Sequence, residues 1–321
     1  MIVLTGGAGF IGSCFLKTLN DEGFYDVIIV DTLGSDLKWK NLLGKRYREI
    51  MSPQRFREQC LGDKLDRAVD TIVHLGACST TTERDADFLY DNNTRYSIDI
   101  ATSASHNSIR MIYASSAAVY GLGEQGYADW LGVTLRPLNM YGYSKLLFDV
   151  WTRKNGLDGE YTGLRYFNVY GPNEYHKGDM ASMIYKAFGQ ISGRGALRLF
   201  RSTTSDYPDG GQMRDFIYVK DVCRVMWKIF ENKDIRGIYN LGTGAPRTWN
   251  DLAAATFSAM GRNPNIEYAD MPDSLRGQYQ NHTCADMTTL ASVLPGIRYT
   301  SLEEGVYDYI TGYLATENIY F

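Results

Sequence analysis

At 321 residues, with 33 basic and 37 acidic side chains and a formal charge of −4, the chain has no run of five like charges, which argues against a nucleic-acid partner. Hydrophobic residues at 44% and charged ones at 22%, with 32 glycines and 8 prolines, exclude a disordered or fibrous chain and suit about two domains at ~150 residues each. No apolar run approaches the roughly 20 residues of a membrane helix, so no membrane partner is expected, and the strand-like start at Met1 to Leu4 reads as cytoplasmic rather than secreted.

In chain order, Ile2-Val3-Leu4, a glycine turn from Gly6 to Gly12, an amphipathic stretch and Val27-Ile28-Ile29-Val30 predict a βαβ unit. Further β-rich runs follow at 71–75, 110–114 and 162–166, each separated by enough chain for a helix. That alternation predicts an α/β fold, a Rossmann-type doubly wound parallel sheet over residues 1–171. From Pro172 the rhythm loosens, with a loop at Thr203 to Gln212 and helices at Asn250 to Met260 and Leu302 to Tyr313. Residues 172–316 therefore read mostly as a smaller C-terminal α/β substrate domain, with segments returning to the first. The end, 317–321, is similar to a tag-protease recognition sequence and is set apart from the fold.

Gly6, Gly9 and Gly12 fall at GxxGxxG spacing after the first strand, where a tight turn and close approach to a pyrophosphate need residues lacking Cβ. The following helix would aim its free N–H groups at that anion. Asp31, about 20 residues on, suits a ribose hydroxyl and leans towards NAD, whereas Lys38 suits the 2′-phosphate of NADP, and the residues alone leave both open.

Tyr141 and Lys145 form YxxxK, which shares one helix face. With 24 tyrosines, about one such pair is expected by chance, so context decides. The strand before that helix ends in Ala114-Ser115-Ser116, and strand carboxyl ends are where open α/β sheets place ligands. Tyr141 would trade a proton with a substrate hydroxyl, its phenolate favoured by the Lys145 ammonium, with Ser116 bonding the same oxygen. Metal chemistry is not expected: His74, His106, His176 and His282 are scattered, and Cys14, Cys60, Cys78, Cys223 and Cys284 never form CxxC.

Thr5-Gly6-Gly7-Ala8-Gly9-Phe10-Ile11-Gly12, Tyr113 to Gly121 and the Tyr141/Lys145 pair resemble the extended short-chain dehydrogenase/reductase superfamily. More narrowly, His74 to Ser79, Asp91-Asn92-Asn93, Pro137 to Lys145, Arg165 to Pro172 and His176-Lys177-Gly178-Asp179-Met180-Ala181-Ser182 resemble the ADP-L-glycero-D-manno-heptose 6-epimerases. The resemblance implies NADP (NAD as the alternative), an ADP-heptose substrate of lipopolysaccharide synthesis and a homo-oligomer, usually a pentamer. It implies that Tyr141 serves one face of the C6 carbinol and Lys177 the other. Lys145 holds the cofactor ribose, and Ser116 steadies the developing oxygen charge. Phe10 and Ile11 then lie over the pyrophosphate, with Asp31, Thr32 and Lys38 around the ribose. Leu75, Gly76, Ala77, Cys78 and Ser79 lie beside the cofactor, with Asn92 nearby. On the substrate side it implies Asn168, Val169 and Phe200. Arg214 is expected to fork onto phosphate, and Tyr279, within Arg276 to Gln280, to meet a ring.

Several positions depart from that pattern. Asp179 replaces a small hydroxyl residue and Lys186 a histidine, both on the substrate side; Pro53 stands where a cation near the 2′-phosphate is usual; and 201–212 is long and acidic beside the expected pocket. Two alternatives remain at this level: another nucleotide-sugar 4-epimerase or reductase, and a non-catalytic dinucleotide sensor on the same fold. A dehydratase should carry an Asp-Glu pair after the serine segment, where Leu122-Gly123-Glu124 offers one carboxylate.

Overall fold

The computed structural model is described for residues 1–130, 134–273 and 279–321. Its centre is a seven-stranded parallel sheet built from β1 (Ile2–Thr5), β2 (Val27–Val30), β3 (Glu49–Met51), β4 (Thr71–His74), β5 (Arg110–Ser116), β6 (Thr162–Tyr166) and β7 (Gly237–Leu241). From edge to edge the order is β7, β6, β5, β4, β1, β2, β3. The chain thus builds outward from β1 to β3, then restarts at β4 on the other side of β1. At that reversal the connections leave opposite faces, which opens a crevice at the strand carboxyl ends.

The aliphatic runs become strands because both of their faces are covered. Ile2 and Leu4 of β1 join Ile29, Val73 and Ile112 in one core, under the helices Phe10–Asp21 and Val219–Glu231. Val3, Ile28, Ile72 and Met111 point the other way, against the helices Pro53–Leu61 and Tyr96–His106. This alternation follows from the two-residue period of a strand.

The smaller part pairs the strands Leu197–Phe200 and Ile266–Ala269 in parallel and packs the helix Met183–Arg194 against Trp249–Ala259. Thr248 and Asp251 start the latter with a capping box. β7 and the helix Val219–Glu231 belong to the central sheet's layers. Among the described residues no helix is long and apolar enough to cross a membrane, and no cluster of His, Cys, Asp and Glu is arranged to hold a metal ion.

The end of the chain packs back onto the fold. Residues 317–321 are not detached; Phe321 shares two hydrogen bonds with the Asn173 side chain, at 2.9 and 3.1 Å, and packs edge-on against Tyr313.

Candidate active site

One cleft of about 1430 Å³ runs along the strand carboxyl ends and between the two parts of the molecule. Its floor is the glycine turn. Gly6 has φ +69, and a Cβ there would lie 2.7 Å from the Gly76 nitrogen; a Cβ on Gly12 would overlap the Gly6 carbonyl oxygen. The next helix starts at Phe10 with Gly9 as its N-cap and no side chain capping it, so its first N–H groups face the cleft without a side-chain acceptor. A cradle that only glycine permits, at an uncapped helix start, fits a dinucleotide pyrophosphate.

Asp31 at the end of β2 accepts from the Ala8 amide at 2.9 Å and from Lys38 Nζ at 2.9 Å. Both line the cleft, whereas Thr32 is exposed and outside the lining. On the opposite wall, Leu75 to Ser79 all line the cleft. Gly76 N donates to Thr5 Oγ1 at 3.0 Å, and Thr5 Oγ1 meets Nδ1 of His74 at 2.7 Å. Burial pushes His74 down to about 3, leaving it a neutral strut.

Asn92 does not line the cleft; its neighbour Asn93 does the positioning. Asn93 bonds Cys78 N and O at 2.9 and 3.0 Å and the Ser144 hydroxyl at 3.0 Å. The helix here contains a π turn, Tyr90–Arg95, whose extra residue shifts the face presented to the cleft.

Tyr141 lies in the first turn of the helix Met140–Lys154, which Asn139 caps by accepting from Gly142 N at 2.8 Å. Ser116 comes from the end of β5 and lines the cleft with Tyr141. Burial raises Tyr141 above the ordinary tyrosine range, with the nearby Ser116 hydroxyl opposing. Lys145, one turn on, donates to the Ala114 carbonyl at 3.0 Å and is pushed down by burial to about 8, against the pull of Asp149. The expected lowering of Tyr141 by the Lys145 ammonium is therefore corrected: desolvation dominates at Tyr141, and the Lys145 ammonium is spent on a main-chain carbonyl. Asp149 fixes this helix to the sheet, accepting from buried Arg165 at 2.9 Å and from Ser115 Oγ at 2.8 Å.

Lys177 sits in the short turn Tyr175–Met180, its ammonium 5.5 Å from the centre of the Phe10 ring. Burial lowers it, and Glu174 partly offsets that. Among the described residues no carboxylate lies within salt-bridge distance of Lys177. Glu174 closes the loop that carries it by accepting from the Ser182 hydroxyl at 2.7 Å and from Gly171 N at 3.3 Å.

On the substrate side Asn168, Val169, Lys186, Phe200 and Tyr279 line the cleft. Asp179 does not; its carbonyl accepts from Lys186 Nζ at 2.7 Å. Arg214, expected to meet phosphate, is buried outside the lining, 5.5 and 4.9 Å from the centres of the Trp249 and Tyr279 rings, with Trp249 Nε1 donating to the Tyr279 hydroxyl at 2.7 Å. Both rings line the cleft. Arg276, Gly277 and Gln278 lie outside the described residues. The loop 201–212 borders the site without lining it: Arg201 ties it down through Asp209 at 3.2 Å and Asp270 at 3.6 Å. Glu124 does not line it either. Sequence reasoning missed Trp249 and the rim cation Arg198, both of which do; a tryptophan at a helix start and one arginine on an exposed edge carry no local signal.

The model of the NAD dependent epimerase/dehydratase family matches residues 2–242. A protein of Nitratidesulfovibrio vulgaris (strain DP4) named ADP-L-glycero-D-manno-heptose-6-epimerase is 53% identical over 318 residues, covering 98% of each chain. Its namesake in Fusobacterium nucleatum is 42% identical and aligns over 100% of both. The crystal structure of the Helicobacter pylori ADP-L-glycero-D-manno-heptose-6-epimerase superposes with a TM-score of 0.80 at 28% identity, covering 97% of this chain and 95% of that one. A glycine cradle for a nicotinamide dinucleotide, a Ser-Tyr-Lys set beside it and full-length likeness of this order agree: the chain belongs to the NAD dependent epimerase/dehydratase family and, within it, to the ADP-L-glycero-D-manno-heptose-6-epimerases.

Proposed function

We propose that the chain inverts C6 of the heptose in ADP-D-glycero-β-D-manno-heptose to give the L-glycero isomer, by transient oxidation of the C6 carbinol to a ketone and reduction from the other face. The observation that carries this reading is the convergence of Ser116, Tyr141, Lys145 and Lys177 on one cleft with the glycine cradle. A nicotinamide dinucleotide bound there supplies reversible hydride transfer with no net redox change. The protein's own groups move the proton. Tyr141 takes the C6 hydroxyl proton as the ketone forms, and Ser116 holds the developing oxygen charge. Lys145 holds the cofactor ribose and stands one turn from Tyr141. Lys177, on a separate element, returns a proton to the ketone oxygen when the other face is reduced. Residues 1–171 mainly hold the dinucleotide and 172–316 the sugar nucleotide.

Incubating purified protein with ADP-D-glycero-β-D-manno-heptose and following C6 by proton NMR should show inversion. No inversion with either NADP or NAD supplied overturns the reading.

NADP is the dinucleotide this reading favours, even though Pro53 supplies no cation. The Lys38 ammonium already neutralises Asp31 at 2.9 Å, so a 2′-phosphate would meet a paired rather than a bare carboxylate. Losing one charge-assisted bond of ~1.5–3 kcal/mol should weaken NADP binding in Lys38→Ala by roughly tenfold or more while NAD binding is kept. Equal weakening of both overturns the preference for NADP.

A homo-oligomer also belongs to this reading, supported by Leu37, Trp39 and Leu43 exposed within one short stretch. Light scattering should give a multiple of 36.2 kDa; a monomer at micromolar concentration overturns it. All five cysteines are free, which suits a reducing cytoplasm.

A further inference from the structure

The turn that carries Lys177, Tyr175–Met180, has only partly buried or exposed side chains, so packing of the turn itself leaves part of its placement to its neighbours. Asn173 sits at its base, fully buried, at φ +74, a left-handed conformation that costs a non-glycine residue free energy. Four hydrogen bonds hold it there. Its amide donates to Ser13 Oγ at 2.9 Å and to the Phe321 main-chain oxygen at 3.1 Å, its Oδ1 accepts from Phe321 N at 2.9 Å, and its carbonyl accepts from Asn41 at 3.1 Å. Asn41 in turn donates to the Ala8 carbonyl of the glycine turn at 3.0 Å. Tyr175 adds a hydrogen bond from its hydroxyl to the Ile319 carbonyl and an edge contact to Tyr320 at 5.5 Å. Phe321 itself is gripped by three cations: Lys45 donates to its main-chain oxygen, and Lys17 and Lys220 lie 5.6 and 5.2 Å from its ring centre.

We infer that residues 319–321 are a strap which, through Asn173 and Tyr175, registers the Lys177 turn against the glycine turn and so positions Lys177 for reaction. The inference rests on the role given to Lys177 above. The strap touches none of the reacting groups; it acts on turnover through the segment it holds.

The test is a chain ending at Thr316 beside full-length Asn173→Gly, which keeps the left-handed backbone while deleting the amide. For both, kcat, KM, dinucleotide affinity and hydrogen exchange of residues 174–182 are measured. The truncation should lose at least tenfold in kcat with less than threefold change in KM, exchange faster at 174–182, and recover when the peptide Glu-Asn-Ile-Tyr-Phe is added. Unchanged kcat, or a loss without faster exchange and without recovery, overturns the strap. If the truncation fails to fold, Asn173→Gly decides: wild-type kcat and exchange overturn it, and a kcat-selective loss with faster exchange supports it. An inactive Lys177→Met beside a fully active truncation discards the strap alone, whereas a fully active Lys177→Met discards the role of Lys177 while exchange still reads the strap.

Discussion

Tyr141→Phe should lower the epimerisation rate by about 10²–10⁴-fold, the range for losing a positioned proton-transfer group. Dinucleotide affinity should stay at the wild-type value, because the pyrophosphate cradle is built from the Gly6 to Gly12 turn on another element. Stability should change little, since the ring is kept and Ser116 retains its bond from the Ala118 amide at 3.1 Å. The pH profile sharpens the test. Burial lifts Tyr141 above its ordinary range, so its basic form is scarce at neutral pH and grows with each pH step. Lys145 acts as a cation and sheds its proton at about 8. The product of the two fractions makes kcat/KM climb with pH up to about 8 and then flatten. Residual activity in Tyr141→Phe should lack that climb. Unchanged turnover in the variant removes Tyr141 from the chemistry.

The parts legible in sequence were those whose physics is local. β1, β2, β4, β5 and β6 announce themselves because a strand covered on both faces must be apolar throughout. β3, three residues at the sheet edge, and β7, which returns more than 60 residues after the smaller part begins, do not, because their identity depends on a distant partner. The same division holds in the site. The glycines are readable, since an overlapping Cβ forbids anything else. Asn93 sits in a π turn, and Arg214 packs against two aromatic rings from separate segments, surroundings that no local pattern announces. Phe321 was set apart on a likeness to a tag-protease sequence, and its partners, Lys17, Lys45, Asn173 and Lys220, meet it from places that no window of sequence contains.

Lys177→Met should fall in turnover by about 10²-fold or more, near 2.7 kcal/mol of transition-state stabilisation, while the melting temperature and dinucleotide affinity hold. Methionine keeps an unbranched stem and removes the ammonium that lies over Phe10, so a fold defect is not the expected cause of any loss. Burial lowers Lys177, which makes its proton easier to release than that of an exposed lysine, with Glu174 resisting only in part. A group in that state can serve the second face, as inversion requires. Lys177→Arg then separates two roles: arginine keeps the positive charge but cannot give up a proton in proteins. If Lys177 transfers a proton, arginine should be nearly as slow as methionine. If arginine restores most of the rate, Lys177 acts as a fixed charge on the ketone oxygen and Tyr141 must serve both faces. A fully active Lys177→Met removes Lys177 from the reaction altogether.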